Sequence, residues 1–209
     1  MDEIGPDRPI VLGITGASGA RYAVRLLHVL CEAGRTVHLT ISESGAWVLR
    51  EEVGVALSLN RPDLRALGPI DSGRVVYHHF SDFGAGIASG SFRTGGMVIC
   101  PCSMSTLAAI GHGMTTNLIT RAADVHLKER RRLILVPRET PLSLVHLESM
   151  LAATRAGAIV LPAMPGWYHR PETLEDLVDF VVARICDHLG VGTELIRRWG
   201  RSDEPSGMD

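Results

Sequence analysis

The sequence contains almost no lysine. Of its 21 lysine and arginine residues, 20 are arginine and one, Lys128, is lysine. Arginine serves wherever any surface cation suffices, so a position that retains lysine is a candidate for a specific role. The scarcity also excludes the Tyr-x-x-x-Lys pair of short-chain NAD dehydrogenases, because Asp124 lies four residues before Lys128.

Cysteine is also scarce. The four cysteines, Cys31, Cys100, Cys102 and Cys186, form neither a C-x-x-C pair nor a disulfide framework, which predicts a reducing, cytoplasmic environment. We interpret CPC at 100–102 as a strand end that enters a tight turn rather than as a metal site. The zinc motifs H-E-x-x-H and H-x-E followed by P-C-x-x-C are absent, so we predict no bound metal.

Long apolar runs and strong charge are missing as well. No apolar stretch reaches the roughly 20 residues of a membrane span, and the initial MDEIGPDRP is unlike a signal peptide. The net charge of −2, without a basic stripe, argues against nucleic acid as a partner. The 209 residues, 45% of them hydrophobic, suit one globular domain. We expect this domain over residues 1–200 and a disordered polar tail at 201–209.

Apolar runs do alternate with helical periodicity along the chain. In the last helix, an apolar stripe runs from Leu174 to Leu189, and Thr173 and Asp176 form a capping-box pattern. This βαβ alternation predicts a single Rossmann-like (flavodoxin-like) α/β domain with a doubly wound, mostly parallel sheet. The predicted strands are about 9–15, 37–42, 75–80, 96–101, 133–137 and 158–162. The predicted helices are about 19–33, 44–54, 103–111, 117–130, 143–156 and 173–189.

Functional residues are expected where strands end and helices begin, because ligands of doubly wound sheets bind there. The loops at these points are TGASGA, SES, PCSMST, PRETP and PAMPGWYHRP, and the stretch GAGIASGSFRTGG at 84–96 is a further candidate binding loop. Gly13, Gly16 and Gly19, spaced three apart, are typical of backbone amides that hold a phosphate. The spacing suits either a dinucleotide or a mononucleotide: Glu43 would hold a ribose diol, and Ser42 a ribityl or phosphate group.

Five segments spread over nearly the whole chain resemble the UbiX family of flavin prenyltransferases. They are GITGASGARYAVRLL, ASGSFRT, PCSMSTLAAI, RAADVHLKERRRLILVPRETPLSLVHLE and YHRPETLEDLVDFVVARICDHLG. The resemblance implies metal-independent transfer of a dimethylallyl group from dimethylallyl monophosphate to N5 and C6 of reduced FMN. It also implies a dodecamer with the site at a subunit boundary. The prenylated FMN would serve a UbiD-type decarboxylase, for example in ubiquinone biosynthesis.

The resemblance also implies roles for individual positions. FMN contacts are implied for Gly16, Ala17, Ser18, Ser42, Ser103, Met104, Ser105, Thr106 and Arg138. Contacts to dimethylallyl phosphate are implied for Ser89, Gly90, Ser91, Arg121, Lys128, Glu139, Tyr168 and Arg184. Catalytic roles are implied for Ser18, Glu52, Lys128 and Glu139, and Trp199 aligns with a carboxyl-terminal aromatic residue. The chain departs from the family pattern at Thr116, Ala163 and Trp167, and it matches poorly over 43–85.

The residue types fit this chemistry. The leaving phosphate carries about 1.5–2 negative charges, and without an Asp-rich magnesium motif, cationic side chains must hold it. Glu139, among these cations, is placed to pass a proton between flavin and phosphate. Taken without the resemblance, Arg130–Arg132 is expected to be a solvated helix end, Arg184 a surface ion-pair residue and Tyr168 a packed turn aromatic.

Two other functions are compatible with a flavin on this fold. One is an FMN-dependent decarboxylase of cysteinyl substrates, which relies on a histidine near the first helix; RETPL and YHRP favour the prenyltransferase instead. The other is a non-catalytic flavin-binding subunit, which would bind FMN without turning over dimethylallyl phosphate.

Overall fold

Six parallel strands form the centre of the protein, in the order β3-β2-β1-β4-β5-β6. The computed structural model describes residues 8–198, apart from the side chain of Ser72. Trp199 and the tail at 201–209 therefore lie outside the described residues. The strands are β1 Ile10–Ile14, β2 Val37–Ile41, β3 Val75–His79, β4 Gly96–Cys102, β5 Leu133–Pro137 and β6 Ile159–Val160.

Helices cover both faces of this sheet, which confirms the predicted doubly wound fold. Three of them, α1, α2 and α6, pack on one face, and the other three pack on the opposite face. The helices are α1 Ala20–Glu32, α2 Glu43–Val53, α3 Met104–Gly111, α4 Leu118–Lys128, α5 Leu144–Ala156 and α6 Leu174–Leu189. The predicted boundaries of helices and strands differ from these by at most two residues.

Capping side chains explain where most helices begin. Ser42 accepts a hydrogen bond from the amide of Gly45, and Ser103 accepts one from Thr106, so each hydroxyl satisfies a free amide of the first turn. The predicted capping box of α6, between Thr173 and Asp176, is present. α1 begins at Ala20, and the residue before it, Gly19, has no side chain that could cap the helix.

Three of the connections are longer than ten residues: 54–74 before β3, 80–95 before β4 and 161–173 before α6. Residues 54–74 join α2 to β3 through two single 3-10 turns, Leu64–Leu67 and Ser72–Arg74. In the described part of the chain, no helix has the length and apolar character needed to cross a membrane.

Candidate active site

Three helices begin side by side at the carboxyl edge of the sheet. α1, α2 and α3 follow β1, β2 and β4, which are neighbours in the sheet. β2 and β3 lie on one side of β1, and the chain then crosses to β4 on the other side, so this is the switch point where doubly wound sheets bind ligands. Helix amino termini carry partial positive charge and free amides, and together they favour a bound anion.

The first two loops at this edge touch each other. A Cβ atom on Gly16 would lie 2.4 Å from the Cβ of Ser44, and one on Gly45 would lie 2.5 Å from the carbonyl oxygen of Ile14. No real side chain tolerates such distances. The two glycines are therefore needed so that the loop after β1 can lie against the start of α2.

Thr15 ties the end of β1 to the end of β4. Its buried hydroxyl donates to the carbonyl of Pro101 at 2.9 Å and accepts from the amide of Ser103 at 2.8 Å. These bonds hold the TGASG and PCSMST loops in a fixed relation. Thr15 is not among the residues predicted for the site; its signal in the sequence is a hydroxyl residue between the apolar strand and Gly16.

The first turn of α3 presents a group of hydroxyls. The Ser103 hydroxyl lies 3.1 Å from that of Ser105 and 2.9 Å from that of Thr106. Ser105 is exposed, while Met104 is buried and anchors the turn in the core. The PCSMST loop thus offers several hydrogen-bond donors to one bound group.

Glu52 of α2 reaches the amino terminus of α1. One oxygen of its carboxylate accepts from the amides of Gly19 and Ala20, both at 2.8 Å, and the Ser18 side chain also bonds to this carboxyl group. Burial raises the pKa of Glu52, but these hydrogen bonds and the charge of Arg138 outweigh it and bring the pKa below its usual value. Glu52 is therefore ionised at neutral pH.

This contact changes the expected role of the glycine loop. Two of the amides at the start of α1 hold a carboxylate of the protein itself, so these two are taken, and the starts of α2 and α3 offer further donors to a phosphate. Arg138, from the loop after β5, joins the same group because its Nε donates to the carbonyl of Ser18 at 3.3 Å. We name these residues the carboxyl-edge cluster: Gly16, Ala17, Ser18, Ser42, Glu52, Ser103, Met104, Ser105, Thr106 and Arg138.

Glu139 follows Arg138 at the same edge. Its side chain is exposed and accepts a hydrogen bond from the amide of Thr140 at 3.1 Å. The carboxylate is thus open to a ligand that binds beside Arg138.

A second group of predicted residues lies along α4. Arg121 donates to the carbonyl of Ala88 at 3.1 Å and to Asp124 at 2.9 Å, which brings the ASGS segment onto this helix. Lys128 pairs with Glu129, and a Cβ on Gly90 would lie 2.8 Å from its Nζ atom. We name Ser89, Gly90, Ser91, Arg121 and Lys128 the α4 cluster. Because α4 leads into the first residue of β5, Lys128 lies toward the amino-terminal edge of the sheet, away from the carboxyl-edge cluster.

The third group lies on α6. The Tyr168 ring packs edge-on against Phe180 with centroids 5.7 Å apart, and Arg184 follows one helical turn later. Arg184 donates to Asp187 at 2.8 Å, and Asp187 is also bound by Arg198 at 2.7 Å. We name Tyr168 and Arg184 the α6 cluster. Thus the structure brings the predicted FMN residues together but distributes the predicted phosphate residues over three parts of one chain.

Arg131 is not solvated, although the sequence predicted a solvated helix end at Arg130–Arg132. Its guanidinium donates to the carbonyl of Phe92 at 2.6 Å and to that of Gly90, and its side chain is only 17% exposed. Arg130, in contrast, is exposed as expected. Arg131 therefore holds the ASGS segment against the end of α4, a role that depends on tertiary structure.

The CPC stretch forms the end of β4. Cys100 and Cys102 are both buried there, and burial raises the pKa of each thiol. Within residues 8–198, no three histidine, cysteine or acidic side chains are grouped as a metal site would require.

Together, the sheet, its switch point and the hydroxyl-rich helix termini define the class of mononucleotide-binding α/β proteins. Comparison with known proteins agrees, since residues 3–186 match the Flavoprotein family. The chain is 49% identical over 189 residues to the flavin prenyltransferase UbiX of Halalkalibacterium halodurans, covering 90% of this chain and 92% of that protein. The chain belongs to the Flavoprotein family and, within it, to the UbiX flavin prenyltransferases.

Solved structures show the same relationship. The structure of AnUbiX (PadA1) in complex with FMN and dimethylallyl pyrophosphate is 42% identical, with a TM-score of 0.83 over 92% of this chain and 97% of that one. A dodecameric FMN-dependent UbiX-like decarboxylase from Escherichia coli O157:H7 is 44% identical. Its TM-score is 0.81 over 91% of this chain and 98% of that one.

Proposed function

We propose that this protein transfers the dimethylallyl group of dimethylallyl monophosphate to N5 and C6 of reduced FMN. The observation that carries the proposal is the carboxyl-edge cluster itself, in which Ser18, Glu52 and Arg138 meet in a chain of the UbiX family. The prenylated flavin would then pass to a UbiD-type decarboxylase.

The carboxyl-edge cluster fits one phosphate of a mononucleotide. Glu52 occupies two amides of α1, which leaves the starts of α2 and α3 with the hydroxyls of Ser42, Ser103, Ser105 and Thr106. Two adjacent helix termini and several hydroxyls suit the FMN phosphate. Reduced FMN, when bound, supplies the electron-rich N5 and C6 atoms.

Ser18 and Glu52 are suited to move a proton. Glu52 is ionised and bonded to the Ser18 side chain, so its carboxylate can accept a proton through the serine hydroxyl. Arg138 lies beside this pair, where its charge stabilises the ionised carboxylate. Glu139, exposed next to Arg138, is the second proton-transfer group of the proposal.

Cations for the leaving phosphate come from the α4 and α6 clusters in this proposal. Because these two clusters and the carboxyl-edge cluster lie in different parts of one chain, we propose that neighbouring copies complete each site. Contacts between unlike surfaces of identical chains build closed rings when the rotation between copies closes. The dodecameric relative from Escherichia coli supports an assembly of this kind.

The test is an anaerobic incubation with reduced FMN and dimethylallyl monophosphate, followed by mass spectrometry of the extracted flavin. We expect a flavin that carries one dimethylallyl group. Unmodified flavin together with carbon dioxide release from a cysteine-ending peptide would favour the cysteinyl decarboxylase. Unmodified flavin with no release would favour a non-catalytic subunit.

Cofactor choice is tested separately by isothermal titration. FMN should bind more tightly than NAD, and the reverse order would contradict the mononucleotide site. The four cysteines are free and buried, which supports a cytoplasmic protein; fractionation of cells that produce it would test this location.

A further inference from the structure

A cavity of about 560 Å³ lies at the amino-terminal edge of the sheet, opposite the edge that carries the carboxyl-edge cluster. Five arginines line it: Arg8, Arg93, Arg130, Arg131 and Arg132. Among the described residues, its one acidic lining residue is Glu129, which pairs with Lys128 and Arg131. None of the described residues predicted for the active site lines this cavity. It is therefore a separate feature of the fold, with an excess of positive charge.

Three of these arginines stand just before neighbouring strands. Arg8 precedes β1, Arg93 precedes β4 and Arg132 precedes β5, and these strands are adjacent in the sheet. Adjacent strands lie about 4.8 Å apart, so three long side chains start within one small area. A backbone hydrogen bond of 2.9 Å from the amide of Gly95 to the carbonyl of Pro9 fixes two of these starting points. We name Arg8, Arg93 and Arg132 the arginine pocket.

The side chains of the arginine pocket form no ion pair within residues 8–198, whereas Arg25, for example, pairs with Asp179. Arg8 and Arg132 are nonetheless half-buried. Partial removal of a guanidinium from water without a carboxylate partner costs free energy, and like charges that share one cavity repel one another. A bound anion would offset both costs.

Helix dipoles neutralise only part of the positive charge in the cavity. The carboxyl ends of α4 and α5 both reach it, through Leu127 and Ala156. Each helix end carries about half a negative charge, while five arginines and one acid line the cavity, so a surplus of roughly three positive charges remains. A single phosphate ester carries about 1.5–2 negative charges. Two linked phosphates therefore match the surplus better than one.

The rest of the cavity lining includes aliphatic side chains. Leu133 is buried, while Leu127 and Ile159 are half-buried. No described residue of the lining is aromatic, so a nucleobase would find no ring on which to stack. An aliphatic group, in contrast, would bury apolar surface against these residues.

We infer that the arginine pocket binds a small organic diphosphate that carries an aliphatic group. The planar guanidinium groups hold the phosphate oxygens in the two-bond geometry that arginine favours. The aliphatic group covers Leu127 and Ile159. This site goes beyond the proposed reaction, because it lies apart from the three clusters that serve the reaction.

Calorimetric titration of the FMN-loaded protein with hexyl diphosphate tests the inference. Arg93→Gln combined with Arg132→Gln should weaken binding by about tenfold or more, because charged hydrogen bonds to the phosphates are lost. Arg155→Gln is the matched control, since Arg155 is exposed in the last turn of α5 and does not line the cavity. Its affinity should equal that of the parent. No binding to the parent, or equal affinities of the parent and the double variant, would overturn the inference.

Further titrations identify the site and the part of the ligand that is recognised. Inorganic diphosphate and ADP should both bind more weakly than hexyl diphosphate, and tighter binding of ADP would contradict the aliphatic part of the inference. Arg184→Ala should bind hexyl diphosphate as the parent does. Loss of binding in Arg184→Ala rather than in the double variant would place the diphosphate in the active site and would overturn the inference.

A last measurement uses the parent protein and so does not depend on the folding of a variant. Phenylglyoxal modifies accessible guanidinium groups, and peptide mass spectrometry follows each arginine separately. Hexyl diphosphate at about ten times its Kd should slow the modification of the exposed Arg93 about tenfold, because the unliganded fraction falls in that ratio. Arg155 should react at an unchanged rate, and an unprotected Arg93 would overturn the inference. None of these experiments measures prenyl transfer, so a failure here is distinct from a failure of the proposed function.

Discussion

Glu52 combines two demands that ordinarily fall on different residues. It caps the amino terminus of α1 and bonds to the side chain of Ser18, the hydroxyl predicted to meet the flavin. Its lowered pKa keeps it ionised, so it is ready to accept a proton at neutral pH.

We predict that Glu52→Gln slows prenyl transfer about a hundredfold or more, which is the usual contribution of a positioned acid or base. FMN affinity should change little, because the amide oxygen still accepts from the helix terminus. Single-turnover rates and flavin titration measure the two effects. The control is Glu51→Gln, at an exposed neighbour paired with Arg50. Full turnover in Glu52→Gln would show that the carboxylate is structural.

Lys128 is the one lysine of this sequence, and its role can be tested by a single substitution. It is half-exposed and paired with Glu129, an ion pair that an arginine could also form. If its compact ammonium contacts the substrate phosphate of a neighbouring copy, a planar guanidinium would displace the leaving oxygen. We therefore expect Lys128→Arg to keep fold, assembly and FMN but to lose about a hundredfold in rate.

The control for Lys128 must be an arginine without structural bonds. Arg131 is unsuitable because it binds two carbonyls, whereas Arg130 is exposed. Arg130→Lys should keep the parent rate. Equal turnover of Lys128→Arg and the parent would remove Lys128 from the site.

At the scale of elements, two ion pairs join α1 to α6, and they differ in environment. Arg25 binds Asp179 through two hydrogen bonds of 2.6 and 3.0 Å, with the carboxylate 18% exposed. Arg21 and Glu175 are 3.8 Å apart and both well exposed. A half-buried, two-bond pair stabilises helix packing, while an exposed pair contributes little.

We predict that Arg25→Ala lowers the free energy of unfolding by about 1.5–3 kcal/mol, since charged hydrogen bonds contribute about that much. For a domain of this size the melting temperature should drop by about 3–12 °C. Arg21→Ala should cost less than about 1 kcal/mol. Thermal and denaturant unfolding of both variants give the comparison, and equal losses would contradict it.

At the scale of the whole molecule, the buried His126 and the half-buried His38 make stability depend on pH. Burial lowers the pKa of His126 to about 4, and burial together with His78 lowers that of His38 to about 4. In the unfolded chain both titrate near 6.5. Between these values the unfolded state binds more protons, so stability falls as the pH drops from about 6.5 to about 4.

Urea unfolding at pH values from 7.5 to about 4.5 measures this dependence. Each such histidine contributes at most about 1.4 kcal/mol per pH unit. His126→Gln should therefore reduce the loss of unfolding free energy between about pH 6.5 and 4.5. His112→Gln, at an exposed position, should leave this loss unchanged. If His126→Gln loses as much unfolding free energy on acidification as the parent, His126 does not cause this pH dependence.

The elements of this fold could be predicted because their signals are local. Apolar periodicity, capping residues such as Thr173 and the glycines of TGASG act within a few neighbouring positions. Alternation of strands and helices then leaves few topologies, since parallel crossovers have one hand. The carboxyl-edge loops could therefore be predicted from the sequence, and the family resemblance supplied the predicted FMN positions within them.

Tertiary structure alone determined which of those side chains contact one another. Glu52 meets the amide of Ala20 across 32 residues, and Arg138 reaches Ser18 across 120, because the parallel strand order β2-β1-β4-β5 places the ends of β1, β2 and β5 at one edge of the sheet. The outward leucines of α5 have the same origin: local periodicity predicts a helix, but the close approach of α3 determines which face is buried. Sequence pattern thus determined which segments are helices and strands, while long-range packing determined which groups share a site and which leucines of α5 stay exposed.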